Sequence, residues 1–311
     1  MPIKIPQNLP ARQILEKEGI LVIKDNDAIR QDIRPLRIAL LNLMPKKIAT
    51  ETQIARVLGA SPLQIEMTLI APSNYIPKNT PAEHMLDFYQ PWNAIKNEKF
   101  DGLITTGAPI ERLSFEDVFY WRELCEIFDW SKTHAHGAFN LCWGAQAALF
   151  HFYGIPKHEM KQKKFGVFLH QIVQGKSLLV HGLNDEFPVP VSRYTENHRE
   201  DFSTFKNLKI LIDSVEAGVC LVYDESLRHV HMFNHLEYES TTLDEEYQRD
   251  LINTRTIQKP ENYYPKNNTN LVPINTWRAN AYLLFNNWLN LLYQTTPFNI
   301  DKIGCHDFDL K

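Results

Sequence analysis

Cys142 follows Ala138-Phe139-Asn140-Leu141 and precedes Trp143-Gly144-Ala145-Gln146. The stretch from Ala135 to Leu141 predicts a buried strand that stops at the cysteine. Gly144 predicts a tight turn, and Gln146 to Phe152 a helix that Gly154-Ile155-Pro156 ends. A thiol on such a strand-to-helix turn stands clear of the sheet. The first amides of the helix point toward it, which favours a thiolate and an oxyanion beside it. Taken alone, the same residues also describe a free cysteine packed as a small apolar group. A second stretch, Phe233-Asn234-His235-Leu236-Glu237, follows a strand expected from Leu227 to Met232. Two residues apart on extended backbone, His235 and Glu237 share a face. A base and the carboxylate that orients it can then turn toward one thiol, which completes a generalised triad. A lone His-x-Glu is otherwise a surface pair.

Cys142-Trp143-Gly144-Ala145-Gln146 with His235-Leu236-Glu237 resembles the Cys-His-Glu triad of class I glutamine amidotransferases. Asn140 stands where that family usually has glycine, and Leu236 where it usually has proline. Both departures fit a closer resemblance, to the homoserine O-acyltransferases of methionine biosynthesis in the amidotransferase-like branch. The likeness runs through nearly the whole chain, in Met1-Pro2-Ile3-Lys4-Ile5-Pro6, Leu41-Asn42-Leu43-Met44-Pro45, Thr105-Thr106-Gly107-Ala108-Pro109-Ile110-Glu111 and Glu261-Asn262-Tyr263-Tyr264-Pro265.

The resemblance implies an enzyme that moves an acyl group from acyl-CoA to L-homoserine through an acyl-cysteine on Cys142. Acyl-CoA and homoserine are the implied small-molecule partners, with no cofactor, no metal and a homodimer. It implies an oxyanion hole from the Trp143 amide and the Gly107 and Ala108 loop. Lys163, Ser192 and Arg249 are implied to line the substrate pocket, Arg249 as a fork for an amino-acid carboxylate. Arg193 and Glu246 are further candidates. In the family the position of Glu111 is associated with the donor, glycine with succinyl-CoA and glutamate with acetyl-CoA, so acetyl-CoA and O-acetyl-L-homoserine are expected here. The physical reason is that two carboxylates about 4 Å apart repel by about 4 kcal/mol at an effective dielectric of about 20. Three alternatives stand beside this reading. They are a homoserine O-succinyltransferase, a glutamine amidotransferase subunit, and a redox-sensing member of the same fold with an oxidisable elbow cysteine. Asn140 and Leu236 speak against the amidotransferase, and the His235 and Glu237 relay against the sensor.

These residues need a scaffold that brings strand ends together. Leu36 to Leu43 is nearly continuous in apolar residues, as central parallel strands are. Pro45 opens a helix from Lys46 to Leu58 with Gly59 as its stop. Strands are expected over Leu63 to Ile70 and Asp101 to Thr106, with an irregular stretch from Ala71 to Gln90 and a short helix from Trp92 to Lys96. Ser114-Phe115-Glu116-Asp117 has a capping-box pattern and predicts a long helix through Asp129. The alternation is that of an α/β fold with a doubly wound, mostly parallel, flavodoxin-like and amidotransferase-like sheet, and ligands bind beyond the strand C-termini. Gly107 to Leu113 and Cys142 lie at such ends. Shorter β segments are expected from Lys161 to Val191, then strands over Asn207 to Asp213 and Ala217 to Tyr223, and a hairpin through Asp224-Glu225-Ser226. A helix from Thr242 to about Arg255 and another over Thr276 to Tyr293 close the pattern, separated by a polar loop from Lys259 to Pro273. The expected organisation is an N-terminal arm over 1–34, the acyltransferase domain over 35–296 and a tail over 297–311.

Composition bounds the rest. A net charge of −4 gives no electrostatic case for nucleic acid. With 44% hydrophobic residues, the 311-residue chain can build a packed core. No apolar run matches a membrane span or a signal peptide, so a cytoplasmic enzyme is expected. Cys125, Cys142, Cys220 and Cys305 do not form a disulfide-framework pattern. His229, His231 and His235 invite a zinc reading, but no cysteine or carboxylate stands at ligand spacing, and the triad needs His235 free.

Overall fold

The computed structural model describes residues 3–4, 8–18, 22–23, 34–73, 80–254 and 257–304. Among them twelve strands join in one sheet. In chain order they are β1 (Ile3–Lys4), β2 (Val22–Ile23), β3 (Leu36–Leu41), β4 (Ile65–Ala71), β5 (Tyr89–Pro91), β6 (Phe100–Thr105), β7 (Ala135–Leu141), β8 (His158–Ile172), β9 (Glu186–Glu196), β10 (Leu208–Ser214), β11 (Gly218–Asp224) and β12 (His229–Met232). Across the sheet the order is β2-β1-β4-β3-β6-β7-β12-β11-β10-β8-β9, with β5 on β4. Pairings from β2 to β12 are parallel, and those from β12 to β9 antiparallel.

The parallel half is built as its sequence dictates. All six residues of β6 are buried, so both faces need cover. Alternate side chains divide between two cores. Ile38, Leu40, Ile104 and Phe139 meet the helices Lys47–Gly59 and Arg278–Thr295 on one face. Ala39, Leu41, Leu103 and Ala138 meet the helices Trp121–His134 and Trp143–Tyr153 on the other. Phe139 stacks on Phe285 at 4.7 Å and meets Trp288 edge-on at 5.4 Å. The last helix lies close because two sheet positions are glycine. A Cβ on Gly102 would fall 2.8 Å from Leu292, and one on Gly137 would fall 2.9 Å from it. At the other edge β1 pairs with β4, and Leu9, Ala11 and Leu15 enter the first core, so described parts of residues 1–34 are joined to the sheet.

Several elements differ from expectation. Ser114 makes no capping hydrogen bond; a 3-10 turn covers Phe115–Asp117, and the helix begins only at Trp121. Val118 takes extended backbone between them, which breaks the expected continuous helix. The supposedly irregular stretch before Trp92 contains the helix Ala82–Phe88 and strand β5. The expected short segments of 161–191 are instead two long strands, β8 and β9, paired as a hairpin. Gly166 (φ +149°) interrupts the pattern because another backbone passes there: Glu261 bridges to it, and a Cβ would fall 2.3 Å from the Glu261 carbonyl. The polar loop after residue 257 docks at this point. Arg255 and the tail beyond residue 304 lie outside the described residues.

Filling the Gly102 contact tests the packing of the last helix. Gly102→Val should destabilise the protein by about 1–3 kcal/mol, read as a lowered urea midpoint with unchanged slope. An unchanged midpoint would mean that the helix does not depend on this close approach.

Candidate active site

Strand β7 ends where the chain must reverse into a helix, and the whole turn is carried by one residue. Cys142 has φ 49° and ψ −119°, a conformation that side chains with a Cβ rarely adopt. Its N–H donates to Met232 O at 2.7 Å, and its carbonyl accepts from Ala145 and Gln146. The turn is therefore at the cysteine and not, as expected, at Gly144. Gly144 lies in the first helical turn, where a Cβ would fall 2.5 Å from Thr106 O. Gly107 completes the surround: its missing Cβ would lie 3.2 Å from Cys142 Cβ, 3.6 Å from Trp143 N and 3.7 Å from Cys142 Sγ. The backbone of 107–108 and the first amides of the helix thus border the thiol. Amides at that position have no acceptor inside the helix.

β12 lies beside β7 with His231 opposite Asn140, so the segment after it reaches the same strand ends. His235 and Glu237 do not sit on extended backbone as expected. They occupy a turn closed by Tyr238 N to His235 O, and His235 N donates to Pro190 O at 2.9 Å. They still meet, with His235 Nδ1 2.7 Å from Glu237 Oε1 and both groups buried. Burial alone would lower the imidazole pKa. The charges of Glu237 and Cys142, with hydrogen bonds to both, outweigh it and hold the ring well above the ordinary histidine value. Tyr238 stacks on the imidazole at 4.1 Å.

The Tyr238 hydroxyl donates to Glu246 Oε1 at 2.7 Å. Glu246 Oε2 accepts from Ser192 Oγ and, at 3.4 Å, from Lys163 Nζ. Lys163 also reaches Asp250 at 2.9 Å. These contacts bring Lys163, Ser192 and Glu246 to the base. Arg249 differs from the expected fork: its side chain is 47% exposed and its guanidinium is held by Asp250. Arg193 is a buried cation spent on Asn234, on Thr195 O and on Ala217 O. It braces the site from behind and offers no free face to a substrate. Glu111 is half-buried. Burial raises its carboxyl pKa and Glu246 adds to this, while the charges of Lys163 and His235 oppose it. The carboxyl therefore shares one electrostatic environment with the base and the Lys163 network.

Two polar groups escaped the sequence reading. Lys47 is fully buried, donating to Asn42 O at 2.5 Å, and burial lowers it to about 8 against the charge of Glu51. Glu51 in turn receives the Tyr89 hydroxyl and faces His84. The cluster fixes the turn after β3, whose Leu43 N donates to Thr106 Oγ1 next to Gly107. Helical spacing gave Lys47 and Glu51 no mark, since i, i+4 charges are ordinarily solvated. Asn234, beside the base, bridges Arg193 and His170. His229 and His231 are buried in β12, where burial lowers them to about 3 and about 4, so both are neutral. Among the described residues one group has metal-compatible spacing, His158, His198 and Asp201. Its atoms serve a capping box and a His158 to Asp201 contact, and its rings stack at 3.9 Å.

The chain matches the family model described as homoserine O-succinyltransferase over residues 2–298. It is 52% identical over 307 residues to the homoserine O-acetyltransferase of Sinorhizobium fredii, covering 99% of this chain and 100% of the relative. It is 53% identical over 304 residues to that of Hyphomonas neptunium, covering 98% and 100%. Among solved structures it resembles a glutamine amidotransferase from Thermotoga maritima (TM-score 0.54, 12% identity, 85% of this chain and 100% of that one). It also resembles a glutamine amidotransferase from Methylobacillus flagellatus (TM-score 0.50, 12% identity, 83% and 95%). The fold is that of class I glutamine amidotransferases. No described helix is long and apolar enough to cross a membrane.

The backbone at Cys142 can be tested without chemistry. Cys142→Gly and Cys142→Ala both lack the thiol, but only glycine relieves the positive φ. The glycine variant should be the more stable by about 1 kcal/mol, measured by chemical unfolding. Equal stabilities would show that the elbow stores no strain.

Proposed function

This chain belongs to the homoserine O-succinyltransferase family, and from that membership we propose that it moves an acetyl group from acetyl-CoA to the hydroxyl of L-homoserine through a thioester on Cys142. The chain is a homoserine acyltransferase; the donor, the covalent intermediate and a role in methionine biosynthesis are the proposed part. The observation that carries the mechanism is the contact of Cys142 with a buried, charge-stabilised His235 that Glu237 anchors. The His235 ring faces the sulfur of Cys142 and takes its proton, becoming the imidazolium, as the attack begins. Sγ attacks the thioester carbonyl carbon, and the oxyanion is met by the Trp143 amide and the Gly107 and Ala108 backbone. The carbon to CoA-sulfur bond breaks, and the imidazolium gives its proton to the departing thiolate. Homoserine then enters. Its hydroxyl passes a proton to the now neutral His235, its oxygen attacks the acyl carbon, and the Cys142 thiolate leaves. Exchange between two thioesters is nearly isoenergetic, which suits a cysteine nucleophile.

Acceptor binding falls to the network of Lys163, Ser192 and Glu246, with Arg249 at its half-exposed rim. The donor is argued from Glu111, because the family model's name points to succinyl transfer and the relatives' names to acetyl transfer. Succinyl ends in a carboxylate. Beside an ionised Glu111 it meets a like charge, and a repulsion of about 4 kcal/mol amounts to about a thousandfold in binding. The proximity of Glu111 to the charges of Lys163, Glu246 and His235 supports this reading.

Two measurements test it. Acetyl-CoA without homoserine should add one acetyl group to the wild type and none to Cys142→Ala by intact mass, and initial velocities should give parallel double-reciprocal lines. Intersecting lines without an acyl-protein would mean direct transfer. The second measurement is the pH dependence of donor choice. A raised Glu111 pKa means that the carboxyl gains its proton, and loses its repulsion, at a higher pH than an ordinary glutamate. The acetyl over succinyl ratio of kcat/KM should therefore narrow as pH falls from about 8 to about 5. It should be flat with pH in Glu111→Gly. A ratio that favours succinyl-CoA at neutral pH would assign the other donor.

A further inference from the structure

Glu111 lies outside the sheet. The turn that carries it, from Ala108 to Leu113, makes local backbone bonds only, Ile110 N to Ala108 O and Leu113 N to Ile110 O. No strand ladder fixes how far its carboxyl projects toward the base. Something else must hold this peptide, and the chain supplies it from the far end of the elbow helix. That helix stops at Gly154, whose left-handed conformation (φ 67°) turns the chain back. Asn197 then pins Pro156 O at 2.7 Å. The next residue is Lys157. Its ammonium donates to the carbonyl of Glu111 and to that of Leu113, each at 2.5 Å. It also lies 4.4 Å over the Phe115 ring. Phe115 stacks on Phe150 of the elbow helix at 4.8 Å and meets Trp143, beside the nucleophile, at 5.7 Å.

We propose that Lys157 is a positioning residue for donor selection: by clasping the two carbonyls of the 111–113 turn against the aromatic block of the elbow helix, it sets the reach of the Glu111 carboxyl into the acyl site. The inference rests on the reading of Glu111 as the donor-selecting residue. A cation bonded to two carbonyls two residues apart fixes the peptide on both sides of Arg112. On its other side Arg112 packs over Tyr194 at 4.3 Å and faces Glu159 at 3.5 Å. The turn is gripped from two directions, and the Glu111 carboxyl, bonded to its own backbone amide, lies within the field of Lys163, Glu246 and His235. Without the ammonium the carbonyls turn to water, the turn relaxes, and the like charge no longer stands in the path of a longer, acidic acyl chain. Lys157 bonds to the backbone of this turn and packs over Phe115, away from Cys142, His235 and Glu237, so its loss should change donor choice more than the rate with the favoured donor.

The test measures kcat/KM for acetyl-CoA and succinyl-CoA in wild type, Lys157→Met, Lys157→Arg, Glu111→Gly and the Lys157→Met/Glu111→Gly double variant. Lys157→Met should lower the acetyl over succinyl ratio about tenfold, with the homoserine KM unchanged. Lys157→Arg, which keeps a cation able to donate to two carbonyls, should restore most of the ratio. In the Glu111→Gly background the Lys157 change should have no further effect on the ratio. A wild-type ratio in Lys157→Met, alongside a lowered ratio in Glu111→Gly, overturns the positioning role and leaves Glu111 as selector. An unchanged ratio in Glu111→Gly overturns the selector itself and the inference with it. Equal loss with both donors, or a Lys157 effect that persists without Glu111, assigns Lys157 to general stability and overturns the proposal. If Lys157→Met does not fold, Lys157→Gln is read by the same criteria.

Discussion

The site depends on a backbone that turns within a single residue. A positive φ at Cys142 sends β7 straight into a helix, so the thiol has nowhere to go but out beyond the strand ends. Such a conformation costs of order 1–3 kcal/mol and persists only where the surroundings over-determine it. Here they do so from three sides. β12 takes the amide through Met232 O, the helix takes the carbonyl, and Gly107 and Gly144 let neighbouring backbone approach within contact. The same backbone that enforces the turn also borders the thiol.

The sheet changes from parallel to antiparallel at β12, and this is what brings His235 to the site. A parallel β12 carries its C-terminal end to the same edge as the end of β7. The antiparallel strands beyond it, β11, β10, β8 and β9, then lead back with Lys163 and Ser192 on the β8 and β9 hairpin. Cys142 and the Glu111 loop come from the doubly wound half, and the groups about Glu246 come from the other half and the helix after it. Two carboxylates hold His235, Glu237 directly at the Nδ1 edge and Glu246 indirectly through the Tyr238 ring stacked on its face.

Legibility in the sequence followed the range of the forces involved. β7 was readable to the residue because its signal is local: a seven-residue stretch ending in Phe139-Asn140-Leu141, then a cysteine and a helical pattern. The helix Arg278–Thr295 was readable for the same reason. The long β8 and β9 hairpin was not, because its lysines and glycines mask an exposed face, and Gly166 looked like an end when it is a docking point for Glu261. Lys47 and Glu51 were silent because burial of a charge is a tertiary fact. Ser114 sent a false signal: a capping pattern has force only if helical backbone follows, and Val118 does not comply. Arg249 was carried over by likeness, which preserves a residue's type but says nothing about Asp250 taking its charge first.

The register that sets Asn140 opposite His231 joins positions 91 residues apart. A chain emerging from its amino end therefore completes the strand that leads to Cys142 long before it possesses His235. Closing a loop of that size is an entropic toll that precedes any reward from the contacts it makes, and nonlocal pairings of this kind are slow to form. Until β12 slots between β7 and β11, Cys142 lacks both the acceptor for its amide and the charge beside its sulfur. The meeting of Cys142 with His235 is consequently a late event of folding, and a partly folded chain carries the thiol without its neighbouring imidazole.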